Sequence, residues 1–453
     1  MAITRRQFVT RLGTLAAAMG MSQLDLAKVG EAFGHGSAWA GQPWTNKPKV
    51  VWVHGAECTG CSVSLLSLFE SATGKAIEGT SVTTLAALDL AVGGSSNGAK
   101  VLAPSANHPN GHRTIHNTAS STGADFNSVA NTNTELIVDV ADVLIDFIDL
   151  QYHETIMGMG SDLAYKWLKD NMDNGDHANA APFVLVVEGA IQPKEFEGCW
   201  DSVDTPAGAA WCSIGVDGTP NAVAPHELSF DDVVLQLATK TKCVAVIPIG
   251  QCACFGGYPG CVSPVFGESQ TGAMGTEAFL KHHGSTAVNK VIAVPGCPTN
   301  PWWFILTVVA WLVDFTNGPG ATVPVDGPLG ILTAANTIKP AAVDGQRRLK
   351  AVYGQPLHGP FCTRYQDFVN GTFAAKSGDP GCLQLIGCKG PQTMTLCGAH
   401  GWNGQQPTND RTWDYGVSAV NGNKGGNCVA GGAPCMGCTE AGYPDAFLPF
   451  IAR

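Results

Sequence analysis

At 453 residues the chain is too long for one typical domain and long enough for two with full cores. An apolar content of 45% with 55 Gly and 27 Pro fits a globular, loop-rich protein and excludes a disordered one. A net charge of −11 argues against a nucleic-acid backbone as partner, and no apolar run reaches the length of a membrane span.

The amino terminus reads as a targeting signal. Thr4-Arg5-Arg6-Gln7-Phe8-Val9 is a twin-arginine motif, and the apolar stretch Leu12–Met19 follows it. Ala38-Trp39-Ala40 offers an A-x-A cleavage site, so residues 1–40 are expected to direct export of the folded protein to the periplasm. The bland alternative is an ordinary basic arm.

Residues 41–49 form a Pro-containing lead-in. Val50–His54 is a continuous apolar run that predicts a buried strand. It passes directly into Cys58-Thr-Gly-Cys61, and apolar spacing beyond predicts a helix over 62–72. Residues 79–134 are rich in Gly, Ser, Thr, Asn and Ala without steady periodicity, which predicts a surface insertion with a short helix near Leu85–Leu90. His108, His112 and His116 recur there every four residues. Pro109-Asn110-Gly111 breaks any helix that would align them, so they read as solvated loop histidines rather than a metal site.

An alternation of helices and strands resumes after the insertion. Helix-like periodicity over 136–148 leads into Asp149–His153, and residues 154–171 predict another helix. Phe183–Glu188 reads as a buried strand. A helix over 226–241 follows, with Ser229 and Asp232 as capping signals near its start. Strands are expected over 243–250 and 290–295, and helices over 274–283 and 302–315. Continuous apolar strands alternating with helices imply an α/β, doubly wound parallel sheet. From about residue 326 periodicity fades and Gly, Pro and Cys become dense. That marks a second, loop-rich unit over 326–453, whose order must come from more than a large core.

Sixteen cysteines need an explanation. Disulfide-dense scaffolds are mostly small domains that lack a core, so size leans against a bridge framework, although glycine-rich loops alone do not separate bridges from metal ligands. Cys58, Cys61, Cys252 and Cys297 all follow predicted strands, and the carboxyl ends of such strands converge on one edge. Four thiolates from three loops suit a 4Fe–4S cluster or zinc, and their long sequence separation leans toward iron–sulfur. The second unit holds Cys362, Cys382, Cys388, Cys397, Cys428, Cys435 and Cys438, and His358 precedes them. Seven cysteines and a histidine fill two four-ligand sites. Clusters in series without a substrate pocket form an electron wire.

At this point the residues match a family. Ala56-Glu-Cys58-Thr-Gly-Cys61-Ser, Tyr152-His153-Glu154-Thr155, Val187-Glu-Gly-Ala190, Gly250-Gln-Cys252-Ala, Pro295-Gly-Cys297-Pro, Gly387-Cys388-Lys-Gly-Pro391 and Pro434-Cys435-x-x-Cys438 resemble the small subunit of nickel–iron hydrogenases over nearly all of 48–453. The resemblance implies a flavodoxin-like domain over 41–325 and a cluster-binding domain over 326–453. It implies electron transfer between a Ni–Fe site, held by a separate large subunit, and an external acceptor such as a cytochrome or a membrane quinone-linked subunit. By position, it assigns Cys58, Cys61, Cys252 and Cys297 to a proximal 4Fe–4S cluster. His358, Cys362, Cys382 and Cys388 fall to a distal 4Fe–4S cluster, and Cys397, Cys435 and Cys438 to a medial one.

This chain departs from the family pattern in three places. The distal motif is usually His-x-x-Cys, but His358 and Cys362 are separated by three residues, which a Gly-Pro loop absorbs. The medial cluster is commonly 3Fe–4S with a proline seven residues before the first of the last two cysteines. Cys428 stands there, which predicts a fourth thiolate and a 4Fe–4S medial cluster. Oxygen-tolerant members carry two extra cysteines where this chain has Gly60 and Gly257, so that device is absent. Cys254 and Cys261 read as small buried or free thiols. A Cys199–Cys212 disulfide is a weaker expectation for an exported protein, and Cys243 has no assigned role. Glu57 reads as a structural carboxylate rather than a proton carrier, and Trp402 and Trp413 as core or interface aromatics. The rival readings are an iron–sulfur subunit of a quinone-linked complex and an exported, disulfide-stabilised binding protein.

Overall fold

The computed structural model describes residues 49–66, 69–71, 137–139, 148–173, 182–193, 212–216, 227–262, 269, 271–314, 331–333, 337–359, 362–395, 397 and 427–449. The signal segment, the insertion with its three histidines, Cys199, Trp402 and Trp413 lie outside the described residues.

A four-stranded parallel sheet organises the molecule. Its strands are β1 (Lys49–His54), β4 (Asp149–His153), β5 (Phe183–Glu188) and β8 (Cys243–Ile249), in the order β4-β1-β5-β8. β1 and β5 pair residue for residue from Lys49 with Phe183 to His54 with Glu188. Five consecutive residues of each are buried, as expected where helices cover both faces of a parallel sheet. Beyond β8, the stretch 291–294 lies parallel to it through isolated pairings of Val246 with Val291 and Ile249 with Val294. The strand expected over 290–295 is therefore an edge held by single bridges, and Ala293 pairs outward with Arg348 instead.

The faces of the sheet carry separate cores. On one side Trp52, Val184 and Ile247 pack against the apolar helix α6 (Pro301–Asp314), joined by Leu332, Leu349 and Tyr353 from later in the chain. On the other side Val51, Leu185 and Val246 meet α2 (Ser161–Asp173) and α3 (Phe230–Thr239). Among the remaining helices, α1 (Gly60–Leu66), α4 (Gly250–Phe255) and α5 (Thr276–His282) are short, and α1 and α4 start at the carboxyl ends of β1 and β8.

Four local expectations need correction. The first helix stops by Leu66, and Phe69–Ser71 forms β2, antiparallel to β3 (Ile137–Asp139). Pairing between distant segments overrides local periodicity at both places, so 137–139 is strand where the periodicity of 136–148 favours helix. Helix α2 begins at Ser161 rather than residue 154, because a turn over 154–156, closed by the Met157 N–H on the His153 carbonyl, takes up the start of that stretch. Glu227–Ser229 is β7, paired with β6 (Ser213–Val216), so α3 starts at Phe230. Ser229 does occupy the cap position, but its side chain makes no capping hydrogen bond.

Past residue 350, regular structure is confined to α7 (Lys350–Tyr353), α8 (Tyr365–Val369) and single 3-10 turns among the described residues. The core there is small: Leu357, Ala374, Leu383, Ile386, Val429 and Cys435, with Cys362 and Cys388 packed on it.

Candidate metal centres

Consider first the carboxyl edge of the sheet. The chain reverses out of β1 at Gly55 and out of β5 at Gly189, and the two turns lie back to back through a bridge between Ala56 and Ala190. Gly189 has φ +96°, and a Cβ there would come within 2.7 Å of the Gly55 backbone, so only glycine fits. This approach places Cys58 and Cys61 above the sheet, where open α/β sheets bind ligands. Cys252 sits in α4, immediately beyond β8. Cys297 follows the edge stretch 291–294.

The four sulfurs face one another closely enough to interact electrostatically. Burial, the proximity of Cys297 and Cys58, and the charge of Glu57 push the Cys252 thiol up to about 12. Burial and Cys58 also raise Cys297, while burial and Glu188 raise Cys61 strongly. Glycines leave space around these sulfurs. A Cβ on Gly60 would lie 2.9 Å from Cys58 Sγ, one on Gly250 would lie 2.4 Å from Cys61 Sγ, and one on Gly257 would lie 2.9 Å from Cys252 Sγ.

Glu188 is the group that sequence reasoning quoted within a motif but gave no task. From the end of β5 it accepts the Cys61 and Ser62 backbone N–H groups at 3.1 Å each. It also accepts the Ser62 hydroxyl at 2.6 Å and the Trp52 indole N–H at 3.1 Å. One buried carboxylate thus fixes the turn that carries Cys61. His54 lies beside it: its Nδ1 is 3.1 Å from Glu57 Oε1, and its backbone N–H donates to Glu154 Oε1 at 3.0 Å. Burial lowers the His54 pKa, but the Glu57 hydrogen bond and the charges of Glu188, Glu154 and Glu57 together raise it. His153 is the opposite case, since burial and the charge of His54 depress it to about 3. One signal was available in the sequence: a glutamate ending a strand that is otherwise wholly apolar.

A second thiol group forms from Cys397, Cys428, Cys435 and Cys438. These four line one cavity together with Thr393, Thr395 and Asn427. Burial pushes Cys397 up to about 12, with Cys428 adding to the shift, and Cys438 is raised by burial and then by Cys397, Cys435 and Cys428. The third group is Cys362, Cys382 and Cys388. Burial raises Cys362 to about 11, with Cys388 and Cys382 contributing. The buried Arg364, held by the carbonyls of Val429, Asp379 and Gly381, opposes that rise. His358 packs edge-on against Phe368 and Tyr365, at 4.5 and 5.2 Å between ring centroids. Its backbone N–H donates to Gly390, whose own Cβ position lies 3.4 Å from Cys388 Sγ and 4.0 Å from His358 Cβ. Burial lowers the His358 pKa, which favours the neutral imidazole.

The four thiols of the sheet edge interact with one another. The seven carboxyl-terminal thiols share one neighbourhood, where Cys428 and Cys435 feel Cys388 as well as Cys397 or Cys438, while His358 is tied to them through Gly390 beside Cys388. All fifteen described cysteines are free thiols. The remaining ones have other partners, although Cys254, in the same helix as Cys252, also interacts with it. Cys243 and Cys254 are buried and directed at the carbonyls of Ala245 and Pro248, and Cys212 points at the His54 carbonyl. Cys261 is half-buried beside Asp445.

Thiols gathered from distant loops offer a set of soft donors that a metal binds as thiolates, releasing their protons to solvent. The donor set of soft sulfur with one neutral imidazole, and the space left by glycine, fit iron–sulfur clusters.

Comparison with known proteins agrees with this chemistry. A family model described as the NADH ubiquinone oxidoreductase 20 kDa subunit matches residues 131–311, and one for the carboxyl-terminal part of NiFe/NiFeSe hydrogenase small subunits matches 353–412. The chain is 26% identical to the periplasmic [NiFeSe] hydrogenase small subunit of Desulfomicrobium baculatum, over 99% of both chains. It is 25% identical to the hydrogenase-2 small chain of Escherichia coli, over 97% of this chain and 77% of that one. The solved structure of the D. baculatum [NiFeSe] hydrogenase superposes with a TM-score of 0.54 at 23% identity, over 90% of this chain and 99% of the other.

Proposed function

This chain belongs to the hydrogenase small-subunit family, and we propose from that premise that it is the electron-transferring subunit of a nickel–iron hydrogenase. The observation that carries the proposal is the convergence of Cys58, Cys61, Cys252 and Cys297, from three separate loops, on one edge of the sheet. The strand order, with β1 between β4 and β5, supports a flavodoxin-like arrangement for residues 41–325. Residues 326–453 form the cluster-binding unit, with 331–353 packed back onto the sheet.

In this reading Cys58, Cys61, Cys252 and Cys297 hold the proximal 4Fe–4S cluster. Cys397, Cys428, Cys435 and Cys438 hold the medial one, four-iron because Cys428 supplies a fourth thiolate. His358, Cys362, Cys382 and Cys388 hold the distal one. When bound, such clusters take up and release single electrons. The chain's own residues set the order of the path. Glu188 fixes the Cys61 turn, Gln251 beside Cys252 donates its side-chain amide to the Glu440 carbonyl just beyond Cys438 at 2.8 Å, and the Cys435 backbone N–H donates to Cys388 Sγ at 3.3 Å. These contacts link the three groups in series. The neutral imidazole of His358 adds no negative charge, which tends to raise the potential at the distal end. Electrons then pass between a Ni–Fe site in a partner large subunit and an acceptor outside the chain, in either direction.

The similar proteins of D. baculatum and another relative from Nitratidesulfovibrio vulgaris are described as periplasmic, which together with Arg5-Arg6 supports folded export. No described helix is long and apolar enough to cross a membrane. A second reading, an iron–sulfur subunit of a quinone-linked complex, is favoured by the family model that matches 131–311. Purification of the native assembly separates the two. A nickel-containing second chain with hydrogen-oxidising activity supports the proposal, and a nickel-free, quinone-reactive assembly contradicts it.

A further inference from the structure

The cysteine sulfurs receive hydrogen bonds of two kinds. At the sheet edge the Thr299 backbone N–H donates to Cys61 Sγ at 3.4 Å, and in the carboxyl-terminal unit the Cys435 N–H donates to Cys388 Sγ at 3.3 Å. Cys397 is served by a side chain instead, because Thr395 Oγ1 lies 3.0 Å from its Sγ. Thr395 is 1% exposed, and its hydroxyl proton has no other acceptor among the described residues. The segment is fixed on both sides. The Thr395 N–H donates to the Gln355 carbonyl at 3.1 Å, and the N–H of the preceding Met394 donates to Glu440 Oε1 at 2.6 Å. The Cys397 N–H then donates to Thr395 Oγ1 at 3.3 Å, which uses that oxygen as an acceptor and leaves its proton for the sulfur. Thr393 does not duplicate the arrangement. Its oxygen is 3.6 Å from Cys435 Sγ, and it gives its proton to the Lys389 carbonyl at 2.7 Å.

A hydroxyl carries one proton to give and can accept others. Between a hydroxyl and a thiol either atom can donate, but a ligating thiolate has no proton, so oxygen donates and sulfur accepts. An ionised acceptor also makes the stronger hydrogen bond. We propose that Thr395 donates its hydroxyl proton to the Cys397 thiolate and thereby raises the reduction potential of the medial cluster. A hydrogen bond to a ligating sulfur draws negative charge from it, which stabilises the reduced cluster over the oxidised one. The effect opposes that of Cys428, whose added thiolate makes the same cluster more negative and lowers its potential. The hydroxyl therefore reduces the uphill step that a low-potential middle cluster imposes on an electron arriving from either side. Thr395 is a positioning residue here, acting on iron through Cys397.

This inference rests on the function proposed above and on Cys397 being a medial ligand. Its test is a redox titration followed by EPR on the complex purified together with the large subunit. Wild type, Thr395→Val and Thr395→Ser are compared. The first change keeps the shape and removes the hydroxyl, and the second keeps the hydroxyl. Thr395→Val is expected to lower the medial midpoint potential while the proximal and distal midpoints stay in place. Thr395→Ser is expected to stay near wild type. An unmoved or raised medial midpoint in Thr395→Val overturns the proposal. So does an equal fall in Thr395→Val and Thr395→Ser, which would assign the effect to packing, and so does an equal movement of all clusters. If Thr395→Val fails to assemble, Thr395→Ala removes the same hydroxyl with a smaller side chain and is read in the same way. A wild-type complex that shows only proximal and distal signals would instead overturn the ligand reading beneath the inference, so the two failures are distinguishable.

Discussion

The proximal group and the carboxyl-terminal groups collect cysteines by opposite means. Near the sheet, rigid strands arrive first and the sulfurs ride on their ends. β1 and β5 are each buried over five consecutive residues, and Glu188 then locks the Cys61 turn with a carboxylate. Past residue 350 no comparable scaffold exists among the described residues, and Cys362, Cys388 and Cys435 are themselves part of a core of only a few side chains. If both regions hold clusters as proposed, the first is a folded scaffold to which metal is added, and the second is expected to depend on metal for much of its order, as small metal-bound units do.

Stripping iron from the purified protein should expose that contrast most visibly. Hydrogen exchange is expected to stay slow over β1, β5 and β8 and to rise sharply over 362–395 and 427–449. Equal loss of protection in both regions would show that the sheet, too, relies on its cluster. Next in size is Cys428→Pro, which removes the fourth medial thiolate. It should convert one four-iron cluster to a three-iron one, read as a new EPR signal in the oxidised protein. Wild type already showing that signal would refute the role given to Cys428.

Glu188→Gln sharpens the other half of the comparison. It retains the shape but weakens charge-assisted bonds to Cys61, Ser62 and Trp52, so a loss of about 1–3 kcal/mol in stability is expected by thermal or denaturant unfolding. A change confined to the carboxyl-terminal region would contradict the clamp.

The smallest effect concerns pH. In the iron-free chain, folding of the sheet scaffold raises the buried Cys252 thiol above its ordinary value of 9.0, up to about 12. A raised acid makes the folded state hold protons that the unfolded state has lost. Stability of the iron-free chain is therefore full below pH 9 and falls as pH climbs toward 12. The loaded protein has already surrendered those protons and should show a flatter profile, checked by unfolding both forms across that range.

How much of this was legible in the sequence follows the same division. The parallel strands were readable because their apolar runs are long and the sheet buries both faces. Val50–His54 and Phe183–Glu188 appear almost as expected. The meeting of Cys58, Cys252 and Cys297 at one sheet edge was readable because each follows a strand. Distant pairing was not readable. Phe69–Ser71 and Ile137–Asp139 become strands only by meeting each other across a long separation, and no local window contains both. Nor does spacing say that Gln251 anchors the 440–443 turn to the sheet edge.

The central claim is that scattered thiols gather around iron and sulfide rather than around one another. Iron and acid-labile sulfide analysis of the purified native protein tests it most directly. About twelve irons per chain, with matching sulfide, is the predicted result for three four-iron clusters. Colourless, iron-free protein with its cysteines joined in disulfides would contradict it.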